Sequence, residues 1–99
     1  SMYVIDHYEI RLAPGYSYIT LFSTQTGNQP VGLLTFHDDT SEMPSVGDFT
    51  IEGVVSGPAL NFHSSVLPQI LDILRNEKPI FLTWDGTNSS LSAGATEFS

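Results

Sequence analysis

"SSVLPQILDILRNEKPIFLTW" (64–84) is the stretch on which the fold turns. Leu67, Ile70, Leu71 and Leu74 recur at i, i+3, i+4 and i+7, so one apolar stripe runs down a helix. Gln69, Asp72, Arg75 and Asn76 fall mostly on the opposite side. Ser64 or Ser65 can cap the amino end, and Pro68 is tolerated because it lies in the first turn. Arg75 and Lys78 in the last turn complement the helix dipole, and Pro79 makes continuation unfavourable. "PIFLTW" then alternates as a strand, with Ile80, Leu82 and Trp84 on one face and Phe81 and Thr83 on the other. The spacing predicts one helix over about 65–77 and a final strand over about 79–84.

Everything before this stretch reads as strand and turn. "YVIDHYEIRL" (3–12) alternates from Asp6 onward, placing Tyr8, Ile10 and Leu12 on one face and His7, Glu9 and Arg11 on a wet one. "APGY" (13–16) is a turn, and "YSYITLFS" (16–23) is a β-branched and aromatic strand. "TGNQP" (26–30) returns the chain as a hairpin into "VGLLTF" (31–36), where Gly32 marks a bulge or a close approach of another backbone. "DFTIEGVV" (48–55) is a fourth strand, broken at "SGP" (56–58). "ALNFH" (59–63) resumes it, either as one bulged strand or as the second arm of a hairpin. The expected fold class is α+β: a single antiparallel sheet of four to five strands with one amphipathic helix packed on one face. Residues 2–85 form one domain, and the Gly/Ser/Thr-rich 86–99 reads as a flexible tail.

Charge excludes more than any motif suggests. Eleven acidic residues stand against Arg11, Arg75 and Lys78, for a net charge of −8. Nucleic-acid affinity comes largely from cations neutralising phosphates, so no nucleic acid is expected as a partner, and anionic lipid is disfavoured for the same reason. An acidic surface suits solubility, or a basic protein partner of the kind an inhibitor or immunity-type protein binds. There is no cysteine, which removes disulfides, zinc–thiolate sites and thiol nucleophiles. No apolar run approaches the roughly 18 residues of a membrane helix, and a cytoplasmic location is expected.

"FHDDTSEMP" (36–44) looks most like chemistry, because His37, Asp38, Asp39 and Glu42 crowd together. As a calcium loop from Asp38 it fails: Met43 stands where glycine is needed and Phe49 where the bidentate carboxylate belongs. No H-E-x-x-H motif occurs either. His37, Asp38 and Asp39 therefore remain weak metal-ligand candidates in a 37–42 acidic loop, the alternative being a solvated strand connection. His63 beside Ser64 and Ser65 lacks a nucleophile elbow. His7, Glu9 and Arg11 form a polar row of the kind that makes cross-strand ion pairs. Trp84 with Asp85 and Asn88 resembles a sugar platform, or an aromatic strand end followed by an Asp-Gly turn. No catalytic constellation and no cofactor motif is found, so a non-enzymatic protein without a cofactor is expected.

One helix covers about one face of such a sheet, yet the aromatic residues divide between two. Tyr16, Tyr18, Phe22 and Trp84 are the candidate interaction surface, and a homodimer joined through an open sheet face or an edge strand would cover them. "ILDILRNEKPIFLTW" (70–84) and the "GYSYI" segment (15–19) resemble small bacterial proteins of about this length, a likeness of structural motifs that implies no activity. The element order is also similar to one half of the Whirly- and PUR-type single-strand-binding folds, a function the missing cations argue against.

Overall fold

The computed structural model describes residues 1–27, 29–39 and 45–94. Eight strands and one short helix follow in the order β1 (Met2–Val4), β2 (His7–Arg11), β3 (Tyr16–Phe22), β4 (Pro30–His37), β5 (Ser45–Ile51), β6 (Val54–His63), α1 (Leu67–Asn76), β7 (Ile80–Trp84) and β8 (Ser89–Ala93). Strands make up 57% of the structure, and they form two sheets rather than the single one expected. The larger has the order β2-β3-β4-β6-β5 and the smaller β1-β7-β8.

Two local features divide the chain between the sheets. The expected first strand breaks at Ile5 and Asp6, sending β1 to β7 and β2 to β3. Asp6 holds the bend: its carboxylate accepts the Thr24 backbone N–H at 2.5 Å and the Thr24 hydroxyl at 2.9 Å. Ile5 itself is buried, and its N–H donates to the Ile80 carbonyl at 2.8 Å. The second feature lies after Trp84. Asp85 accepts the N–H groups of Thr87 and Asn88, and this turn returns residues 89–93 as β8 on β7. Part of the expected tail is thus a strand, and β7 is not the last one; residues 95–99 lie outside the described residues.

The larger sheet is also not wholly antiparallel, since β4 and β6 run parallel from Leu33↔Ala59 to His37↔His63. The 49–63 region is a hairpin whose turn lies earlier than "SGP" suggested. Glu52 and Gly53 take φ of 52° and 82°, both left-handed, between β5 and β6. "SGP" then runs inside β6, where the register shifts and Ser56 is the extra residue. Such a bulge lets a strand carry a proline. Gly57 is required there, because a β-carbon on it would sit 1.9 Å from the Val31 carbonyl oxygen.

The core lies between the two sheets and the helix. Ile19 and Leu21 of β3, Leu34 and Phe36 of β4, Leu60 of β6, Ile70 and Leu74 of α1, and Ile80 and Leu82 of β7 form one buried cluster. Leu82 packs directly over Gly32, whose missing side chain makes the room. The helix stripe is as predicted, with Ile70 and Leu74 buried and Leu67 and Leu71 half-buried. Its start differs. Ser64–Val66 form a 3₁₀ turn capped by His63, whose Nδ1 accepts the Ser65 N–H at 3.2 Å, and the α-helix begins only at Leu67.

Candidate functional site

Among the described residues, strand alternation leaves one face of the larger sheet without a covering layer. Tyr16, Tyr18 and Thr20 of β3 stand there beside His37, Thr35 and Leu33 of β4, and Asn61 and Ala59 of β6 continue the row. A polar network knits this face together. The Thr35 hydroxyl bonds the Asn61 side-chain oxygen, His37 Nε2 lies 3.1 Å from the Thr35 hydroxyl, and the Asn61 amide donates to Ser45 at 3.1 Å. Thr35 is buried beneath these neighbours.

Of the four residues of the expected interaction surface, Tyr16 and Tyr18 meet, their rings 5.9 Å apart, and Trp84 stands in the other sheet. Tyr16 is exposed and its ring lies 5.3 Å from that of His37, while Tyr18 is half-buried one pair along. Phe22 is covered by the His7 ring, stacked at 4.7 Å. Trp84 belongs to the smaller sheet, half-buried, with its indole Nε1 buried and unpartnered among the described residues. Asp85 serves the turn after β7, and its two backbone N–H bonds, that from Asn88 foremost, hold its carboxyl below the ordinary aspartate range.

The metal candidates are placed as follows. His37 ends β4 in register with His63 of β6, and Asp38 and Asp39 follow as exposed residues. The Asp38 N–H reaches the Gly15 carbonyl at 3.5 Å. Among the described residues no three His, Asp or Glu side chains come together as a metal set. Glu42 and the rest of 40–44 lie outside the described residues.

Sequence reading allowed an edge strand as a joining surface but did not locate it. Because β1 leaves for the other sheet, β2 has β3 on one side and, among the described residues, no strand on the other. Along it Ile10 is 37% exposed, and Leu12 just beyond is 65% exposed. Glu9 and Arg11 do not find the cross-strand ion pairs expected of them. Their register partners are Thr20 and Tyr18, and neither makes an ion pair among the described residues. A hollow of about 450 Å³, lined by Glu9, Ile10, Arg11, Tyr18 and Thr20, runs along this edge. The signal was present in the alternation breaking at Asp6, which could have told β1 from β2.

No protein-family model, no curated protein and no solved structure matches the chain. Among the described residues no helix is long and apolar enough to cross a membrane.

Proposed function

We propose that the protein is a non-enzymatic, self-associating module whose copies join along β2, so that the five-stranded sheet continues into its partner across a two-fold axis. An open strand edge with exposed apolar residues is a template for pairing with another chain. What favours a second copy as the occupant is the charge pattern of β2. In antiparallel self-pairing centred on Ile10, Glu9 faces the partner's Arg11 and Arg11 faces the partner's Glu9. On the other face Ile10 meets the partner's Ile10, and Tyr8 meets the partner's Leu12. Both faces are then complementary at once. Centring one residue earlier sets Glu9 against the partner's Glu9, a like-charge contact that opposes that register.

Each such cross-strand pair contributes about 0.2–1 kcal/mol. An interface of one strand edge is small, so a weak and concentration-dependent dimer is expected. Sedimentation equilibrium over a series reaching high micromolar protein tests this. A reversible monomer–dimer isotherm supports the reading, and a monomer throughout the series ends it.

A further inference from the structure

A cleft lies where β1 and β2 meet the end of the helix. It opens between the β1–β2 bend and the carboxyl end of α1, with a volume of about 780 Å³, the size of pocket that takes small organic ligands. Its floor is apolar: Val4 and Ile5 on one wall, Leu74, Pro79 and Ile80 on the other. Arg75 and Lys78 line it as well. These are two of only three basic residues in a chain of net charge −8.

Neither cation makes a hydrogen bond or ion pair among the described residues, although eleven carboxylates are available in the chain. The helix dipole accounts for a cation at Arg75. It does not account for Lys78, which lies beyond the helix end at Asn76. Three other titratable residues line the cleft: Asp6, His7 and Tyr8. Asp6 holds the Thr24 N–H and hydroxyl through Oδ2, and the His7 ring lies flat on Phe22. Two cations against the one carboxylate of Asp6 leave the lining of the cleft net positive, beside an apolar surface.

We propose that this cleft binds a small amphipathic organic acid, its alkyl or aryl body on the Ile5, Leu74 and Ile80 floor and its carboxylate on Arg75 and Lys78. Charge-assisted hydrogen bonds to the head are the strong ones, and the body gains from leaving water. The cleft touches β2 through His7 and Tyr8, but the groups proposed to hold the acid, Ile5, Leu74, Arg75, Lys78 and Ile80, lie outside β2, so acid binding and β2 pairing are tested separately.

Octanoate, octanol and inorganic phosphate, titrated into the full chain and followed by amide NMR, test it. Octanoate is expected to shift the amides of Ile5, Leu74 and Ile80 and to bind about tenfold tighter than octanol, the head group being worth about 1.4 kcal/mol. Phosphate is expected to bind more weakly than octanoate, because it leaves the floor empty. The R75Q/K78Q variant, changed only at two exposed residues, is expected to keep its spectrum and its octanol affinity and to lose the preference for octanoate. Equal binding of octanoate and octanol, phosphate binding as tightly as octanoate, shifts confined to other surfaces, or an unchanged preference in R75Q/K78Q would each overturn the proposal.

Discussion

Two residues carry more of this fold than their size suggests. Gly57 lets β4 and β6 approach within a distance that no side chain allows, since the atom in the way is the Val31 backbone carbonyl rather than a side chain that could move. Gly57→Ala is expected to prevent the native sheet from forming, seen as loss of dispersed amide resonances; a folded variant of unchanged melting temperature would contradict this. Asp6 holds the bend that separates the sheets. The Thr24 backbone N–H, and then the Thr24 hydroxyl, hold its carboxyl below the ordinary value, with a small further contribution from His7. A depressed carboxylate stabilises the fold above its unfolded pKa of about 3.9, and that contribution is lost as the pH falls through the lower folded value. Asp6→Asn is therefore expected to lower the urea midpoint at neutral pH. Its midpoint should fall less than that of the unmodified protein as the pH is brought from about 4 down through the lower folded value, where the Thr24-bonded carboxylate protonates. Parallel acid sensitivity in the two proteins would show that the Thr24 bonds are energetically idle.

At the scale of elements, the β5–β6 turn is the least optimised. Glu52 occupies a left-handed conformation that asparagine adopts more readily, ahead of a glycine suited to it. Glu52→Asn is expected to stabilise the protein by about 0.5 kcal/mol, read as a raised urea midpoint with unchanged slope. Most elements were legible in the sequence because they are local. The Leu67–Leu74 stripe and the alternation of β2 and β3 follow from spacing and residue type, whereas Gly32, read as a bulge or a close backbone approach, makes its tightest contact with the Leu82 side chain. The sheet division was not legible, because it depends on which strand an edge finds. Tyr3 and Val4 were read as the start of the strand that continues to Leu12, and Ser89–Ala93 carries little intrinsic strand signal; β7 recruits both segments through long-range pairing. The β5–β6 turn was misplaced because Gly57-Pro58 is the stronger turn signal, whereas the true turn is Glu52-Gly53. The candidate site was half legible. Glu9 and Arg11 stood out as a polar row, but only the topology shows that their strand is an edge and that their register partners on β3 are uncharged.

For the whole molecule, two sheets and a helix share one core, leaving a polar sheet face, an open edge at β2 and a cleft beneath the helix end. The edge is where a strongly acidic chain carries a self-complementary charge pair, and assembly along it is the central claim. A charge swap measures it most directly. Glu9→Arg sets two arginines against each other on both sides of the two-fold axis, and Arg11→Glu does the same with carboxylates. Each single variant is expected to weaken dimerisation by about 1–3 kcal/mol, roughly tenfold to a hundredfold in sedimentation equilibrium. The double variant E9R/R11E restores opposite charges across the axis and is expected to recover the dimer. Single variants that dimerise as the unmodified protein does, or a double variant no better than either single, would contradict pairing through β2 in the Ile10-centred register.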